Sequence, residues 1–188
     1  MKYGYDDVRD VLERSSARET AARVAAGAVA IRFLEEFGII LRSHVVSIAG
    51  VWAKIPENID WKLVEDSPVR CADPEAAALM MVEIDAAKEA GDTVGGTVEI
   101  IAENLPIGLG SHVHWDRKLD GLISQALMSI NAVKAVSIGP GWETADLKGS
   151  QVQDVILPVT DPDNPWQRKT NMLGGTEGGM SNGMPLVA

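Results

Sequence analysis

Cysteine is almost missing from this chain: Cys71 is the only one in 188 residues. No internal disulfide can form, which fits a reducing compartment. Basic residues are scarce too, with 17 Lys and Arg against 27 Asp and Glu, a formal net charge of −10. So acidic a chain binds nucleic acid poorly, and an anionic ligand has to be held by local basic groups against the overall field. No apolar run is long enough to span a bilayer, and the opening Met1-Lys2-Tyr3-Gly4-Tyr5-Asp6-Asp7 has no apolar signal-peptide core. These absences predict a cytoplasmic protein with neither a membrane nor a nucleic-acid partner. There is no internal repeat. What is present points to a folded protein: 46% of residues are hydrophobic and 23% charged, enough for one domain with a real core and too little charge for disorder.

The first strong element is a helix over 17–37. Ser16 and Glu19 have capping-box spacing. An Ala-rich run follows, with Val24, Ala28, Ile31 and Phe37 on one face, and Gly38 is placed to end the helix. Residues 39–49 are rich in β-branched side chains and predict a strand, and 50–72 read as irregular. Asp73 and Pro74 then open a helix that runs to Gly91. A second strand is expected over 97–103, a Gly/Pro-marked loop over 104–111, a helix over 117–132 and a short strand over 133–138. Residues 158–188 form a Gly/Pro-rich loop region holding four of the nine prolines and five of the eighteen glycines. Within it, 174–183 is expected to form no regular element, and Pro185-Leu186-Val187-Ala188 reads as the start of a strand. The order of helices and strands predicts an α+β or α/β protein with helices layered on a sheet.

Four segments could carry chemistry. In Arg14-Ser15-Ser16-Ala17-Arg18, hydroxyls and free backbone N–H groups meet the amino end of a long helix, flanked by guanidinium groups. That suits phosphate or carboxylate. Taken alone, a capped helix with surface arginines is the commoner explanation. The glycine-rich 174–183 could let a backbone approach a ligand closely, or be a plain flexible loop; it matches neither a P-loop nor a dinucleotide fingerprint. His112 and His114 with Asp116 have loose metal-ligand spacing, and metal binding is not expected of them. A hydrolase triad of Ser111, His44 or His114, and Asp116 lacks the nucleophile-elbow sequence. Asn131 could pair with a planar heterocycle, although an Asn that ends a helix is the simpler account.

Taken together these segments resemble chorismate synthase. The resemblance is carried by four blocks, in order, over nearly the whole chain. They are Glu13-Arg14-Ser15-Ser16-Ala17-Arg18-Glu19-Thr20-Ala21-Ala22-Arg23 with Lys2-Tyr3-Gly4 before it, Gly108-Leu109-Gly110-Ser111 through Asp120, Met128-Ser129-Ile130-Asn131-Ala132-Val133-Lys134, and Thr170-Asn171 with Gly174 through Gly183. The resemblance implies a β-α-β sandwich in an α+β fold, here incomplete, and a homo-oligomer, a tetramer in the family. It implies phosphate elimination from 5-enolpyruvylshikimate 3-phosphate to give chorismate. The step needs reduced FMN without net redox change and is the last common one in making aromatic amino acids. NADP is the nucleotide associated with flavin reduction, which either this protein or another carries out.

Carried over by position, Arg14, Ser15, Ser16, Asn131, Ala132 and Gly178 correspond to flavin-contacting residues, and Arg18 to an arginine near the phosphorylated substrate. No metal is implied. The resemblance places the family's acid–base histidines upstream of Met1 and its Lys-Pro and Arg-x-Asp segments downstream of Ala188. The expectation is therefore an internal piece of the enzyme, inactive alone, with no catalytic residue among His44, His112 and His114 or elsewhere. Met172 departs from the Arg or Asn usual at its position.

Overall fold

The computed structural model describes residues 2–15, 17–160, 162 and 165–188. The chain divides into two compact units, one of residues 42–101 and one of residues 1–41 with 102–188. Helices and strands mix in both. The elements are α1 (Arg9–Ser15), α2 (Ala17–Glu35), β1 (Ile40–Ile48), β2 (Val51–Trp52), α3 (Trp61–Asp66), α4 (Pro74–Ala90), β3 (Gly96–Glu103), α5 (Leu119–Met128), α6 (Gly149–Val152), β4 (Thr176–Glu177), β5 (Met180–Ser181) and β6 (Leu186–Val187). One sheet has the order β2-β1-β3-β6, and β4 with β5 makes a separate two-stranded ribbon. Among the described residues, no helix is long and apolar enough to cross a membrane.

Unit 42–101 holds the apolar core. Asp73 caps α4: its carboxylate accepts the N–H groups of Glu75 (3.0 Å) and Ala76 (3.2 Å). Pro74 fits the first turn, which needs no N–H, and Gly91 closes the helix at φ +67°. This fixes the face carrying Ala76, Ala77 and Met80, which packs with Cys71 against Val45, Ile48 and Val51. β1 and β2 pair antiparallel through Ser47–Trp52 and Ile48–Val51. The turn between them, Ala49-Gly50, has φ +51° and +82°, the primed geometry that matches strand twist.

The Asp73 cap yields a pH prediction. The N–H of Lys54, at 3.0 Å, does most to lower the Asp73 pKa, and the Ala76 and Glu75 amides add to it. A carboxylate with a depressed folded pKa contributes stability that is present above its unfolded pKa. That contribution is lost as pH falls through the folded value, which here lies below 3.8. Asp73→Ala should therefore cost about 1 kcal/mol at neutral pH. In thermal melts at stepped pH, the gap to wild type should close as pH drops through that region.

Unit 1–41 with 102–188 is built differently. Its buried apolar residues are few, among them Ile39, Ala102 and Leu186, and none of the described core residues comes from α2. Backbone crossings hold it instead. A Cβ on Gly139 would lie 2.8 Å from the Gly174 nitrogen, and one on Gly175 would lie 2.6 Å from the Leu186 Cα. Gly139 N–H donates to the Val187 carbonyl (2.8 Å), and Asn182 N–H donates to that of Gly175 (3.0 Å). Asn171 binds on both sides, donating from Nδ2 to Pro185 O and accepting the Gly175 N–H, each at 2.8 Å.

Several expectations are corrected. The helix over 17–37 ends at Glu35 and leaves Val24, Ile31 and Phe37 exposed, rather than forming a core-facing stripe. Residues 50–72 are not wholly irregular: they hold β2 and α3, the latter capped by Asp60. The helix over 117–132 is shorter, Leu119–Met128. No strand forms at 133–138, since the chain leaves Asn131 through a left-handed Ala132, φ +69°, instead of extending beside a partner. Residues 174–183 are not irregular either, for β4 and β5 lie within them.

Candidate functional site

α5 organises the candidate site, which lies wholly in the unit of residues 1–41 and 102–188. Three of the segments singled out in the sequence meet it. At its carboxyl end the Ser129 hydroxyl donates to the Ala126 carbonyl (2.6 Å) and accepts from Arg23 Nη1 of α2 (2.7 Å). Arg23 is held in that pose by Glu19 one turn earlier, whose carboxylate takes its Nε–H at 2.7 Å. At the amino end of α5, the Leu119 N–H donates to the Gly179 carbonyl at 2.8 Å. Ten residues of α-helix between these anchors span about 15 Å.

The hairpin at the amino end is built by its glycines. Glu177 pairs with Met180 across a two-residue turn, and Gly178 and Gly179 hold φ +61° and +86°. Both central residues are left-handed, the geometry that Gly-Gly adopts without a Cβ penalty. Gly110 bridges to Met180, and a Cβ on it would sit 2.5 Å from the Gly179 carbonyl. Ser181 stitches the 106–109 loop to the hairpin: its hydroxyl donates to Pro106 O (2.6 Å) and accepts from Leu109 N (2.9 Å). Gly178 alone looks outward. A Cβ there would meet nothing within 4 Å, so its backbone is open to a ligand.

The other residues singled out are placed as follows. Arg14 and Ser15 are exposed at the end of α1, where the Ser15 hydroxyl donates to Val11 O at 3.0 Å. Ser16 and its half of the capping box lie outside the described residues. Arg18 is exposed in the first turn of α2, about 7.5 Å along the axis from Arg23. Asn131 is half-buried and Ala132 exposed in the turn just beyond α5. Ala132 at φ +69° is strained for a residue with a Cβ, and such strain clusters at functional sites. The structure thus ties α2 to the carboxyl end of α5 through Arg23 and Ser129, and the Gly178 hairpin to its amino end through Leu119 and Gly179; neither bond is made by Arg14, Ser15, Arg18, Asn131 or Ala132.

The histidine and hydrolase-triad candidates are placed differently. His44 is buried in the unit of residues 42–101, with Nε2 2.9 Å from Glu99 Oε1 and its ring edge-on to Trp61. His114 Nδ1 lies 2.8 Å from Asp116 Oδ1, both half-exposed or more. The Ser111 hydroxyl accepts the Val113 N–H at 3.2 Å and engages no histidine among the described residues. No group of three or more His, Cys, Asp or Glu among the described residues could hold a metal.

Two polar residues, the buried Asp154 and the partly buried Arg168, escaped the sequence reading. Asp154, 5% exposed, accepts the Thr170 hydroxyl (2.6 Å) and the N–H groups of Met172 (2.8 Å) and Leu173 (2.9 Å). Arg168 donates to the Asp154 carbonyl (3.2 Å) and pairs with Glu177 (2.7 Å), the residue before the Gly178 turn. Their partners lie 9 to 19 positions away, and no local sequence signal marks them.

Known proteins match this arrangement along its whole length. The chorismate synthase family model covers residues 1–188. The chain is 56% identical to a chorismate synthase of Brevibacillus brevis, covering all of this chain and 49% of that protein. It is 54% identical to one of Geobacillus thermodenitrificans, again with 49% of the relative covered. The chain thus spans about half the length of the curated relatives it matches. A crystal structure of chorismate synthase superposes with a TM-score of 0.90 at 47% identity, over 99% of this chain and 58% of that one. Likeness of that extent, with the glycine crossings and the α5 anchors falling in the matched region, makes the α+β fold that of chorismate synthase, and the chain belongs to the chorismate synthase family.

Proposed function

We propose that this chain carries the flavin-phosphate side of a chorismate synthase site, in an enzyme that eliminates phosphate from 5-enolpyruvylshikimate 3-phosphate to give chorismate. The observation that carries the reading is the shared helix: α5 is bound at one end by Arg23 and at the other by the Gly179 carbonyl. The residues fit a phosphorylated flavin on their chemistry. Arg18 is an exposed guanidinium in the first turn of the 19-residue α2, and Arg14 is another at the end of α1 just before it, in a chain otherwise strongly acidic. Guanidinium and a helix amino end both favour phosphate. Gly178 presents a backbone with empty space where a side chain would be, as close approach by a flat ring requires.

In this reading Arg14, Ser15 and Ser16 bind the FMN phosphate, and Arg18 orients the phosphate of the substrate. Asn131, Ala132 and the Gly178 turn would hold the flavin ring. A bound reduced flavin supplies transient electron donation without net redox change. No proton transfer is assigned to a residue of this chain. The working protein is a cytoplasmic homo-oligomer, a tetramer as in the family. The exposed Val24, Val29 and Phe33 of α2, with Phe37 just beyond it, support association, because exposed apolar surface of this kind marks interfaces.

Titrating FMN fluorescence with the chain tests the reading. FMN should bind more tightly than riboflavin, which lacks the phosphate. Arg14→Ala with Arg18→Ala should weaken FMN by about tenfold or more, two charge-assisted contacts being lost. No quenching at millimolar FMN by the folded chain would overturn it.

A further inference from the structure

We propose that Arg168 and Glu177, backed by Asp154, form a latch that sets the pose of the Gly178 turn, and that they are positioning residues for the flavin. The inference rests on the flavin reading above and adds residues to which that reading gives no role.

The hairpin has only two paired positions, Thr176–Ser181 and Glu177–Met180. A ribbon this short is not stable by itself. Leu119 and Gly110 hold its Gly179–Met180 side, and Arg168 holds the Glu177 side. Its side chain is 9% exposed, and its guanidinium reaches Glu177 Oε2 at 2.7 Å while donating to the Asp154 carbonyl at 3.2 Å. Asp154 in turn holds the next stretch of chain, accepting from Thr170, Met172 and Leu173. The two grips lie on either side of Gly174 and Gly175, which are pinned by their backbone crossings. Glu177 is thereby fixed, and Gly178, its neighbour in the chain, takes its place from it.

The guanidinium is not fully satisfied. Arg168 Nε is buried without a hydrogen-bond partner among the described residues. A buried donor left unpaired is costly and calls for an explanation. Holding the fork between a carbonyl on one segment and a carboxylate on another provides one. Lysine could replace it only in part, because an ammonium cannot span both acceptors with a rigid fork.

The test uses the full chain with Glu177→Gln, Arg168→Lys and Arg168→Met. Glu177 is half-exposed, so Glu177→Gln should fold even if the Arg168 variants do not. Amide exchange at the hydrogen-bonded Met180, Ser181 and Asn182 of the hairpin in the ligand-free chain should quicken by about tenfold in Glu177→Gln, as expected when one charge-assisted bond is lost. FMN affinity should fall by a similar factor, with Arg168→Lys recovering part of the loss seen in Arg168→Met. Unchanged exchange would overturn the latch, and so would quicker exchange with unchanged FMN affinity per folded molecule. If wild type itself fails to bind FMN, the flavin reading fails and positioning with it, while the exchange data still show whether the mechanical latch exists.

Discussion

Gly175→Ala should destabilise the unit of residues 1–41 and 102–188 by about 4 kcal/mol. Left-handed geometry costs a residue with a Cβ about 1–2 kcal/mol, and Gly175 holds φ +79°. The larger share is steric. The added carbon would press on the Pro185 carbonyl and lie 2.6 Å from the Leu186 Cα, both backbone atoms of the segment that forms β6. Neither can swing aside as a flexible side chain could, so the crossing must open. Denaturant melts followed at Trp142 and Trp166 would measure the loss. Gly178→Ala is the contrasting case. Its φ is +61°, with nothing within 4 Å, so it should cost only about 1 kcal/mol and leave the chain folded. Its main consequence should fall on flavin affinity.

The second large effect belongs to the other unit. Met80→Ala should cost about 3 kcal/mol, within the range for emptying a buried methionine site. Met80 is fully buried and shares its cluster with Cys71, Ala76 and Ala77. The neighbours are small, and small neighbours cannot collapse far enough to fill the space. Met80→Leu, nearly equal in volume, should cost less than about 1.5 kcal/mol. Urea melts of the three proteins would order them, and equal midpoints for wild type and Met80→Ala would show that the cluster is not the core of its unit.

What the sequence made readable follows from how far each signal reaches. The α4 boundaries were legible because Asp73, Pro74 and Gly91 act within their own turn. α3 had a comparable signal in Asp60, whose carboxylate accepts the Lys62 and Leu63 N–H groups, but its brevity hid it. The β4–β5 ribbon was obscured by the glycines that make it: Glu-Gly-Gly-Met reads as a breaker unless the two central residues are taken as a primed turn. The strand expected at 133–138 fails although Val133, Val136 and Ile138 have the right propensity; the segment approaches β6 only at its end, where the Gly139 N–H reaches the Val187 carbonyl. In the candidate site, Arg14, Arg18 and Gly178 stood out by residue type. Asp154 and Arg168 did not, because their role exists only once distant segments fold together.

The account depends on the start of α2, the turn after α5 and the Gly178 hairpin serving one ligand. Recording ¹H–¹⁵N spectra of the labelled chain during an FMN titration measures this directly. The amides of Ser15, Arg18, Asn131, Ala132 and Gly178 should shift together along one binding curve, and riboflavin should leave Ser15 and Arg18 in place. Shifts confined to one of the three segments, or following separate curves, would contradict it.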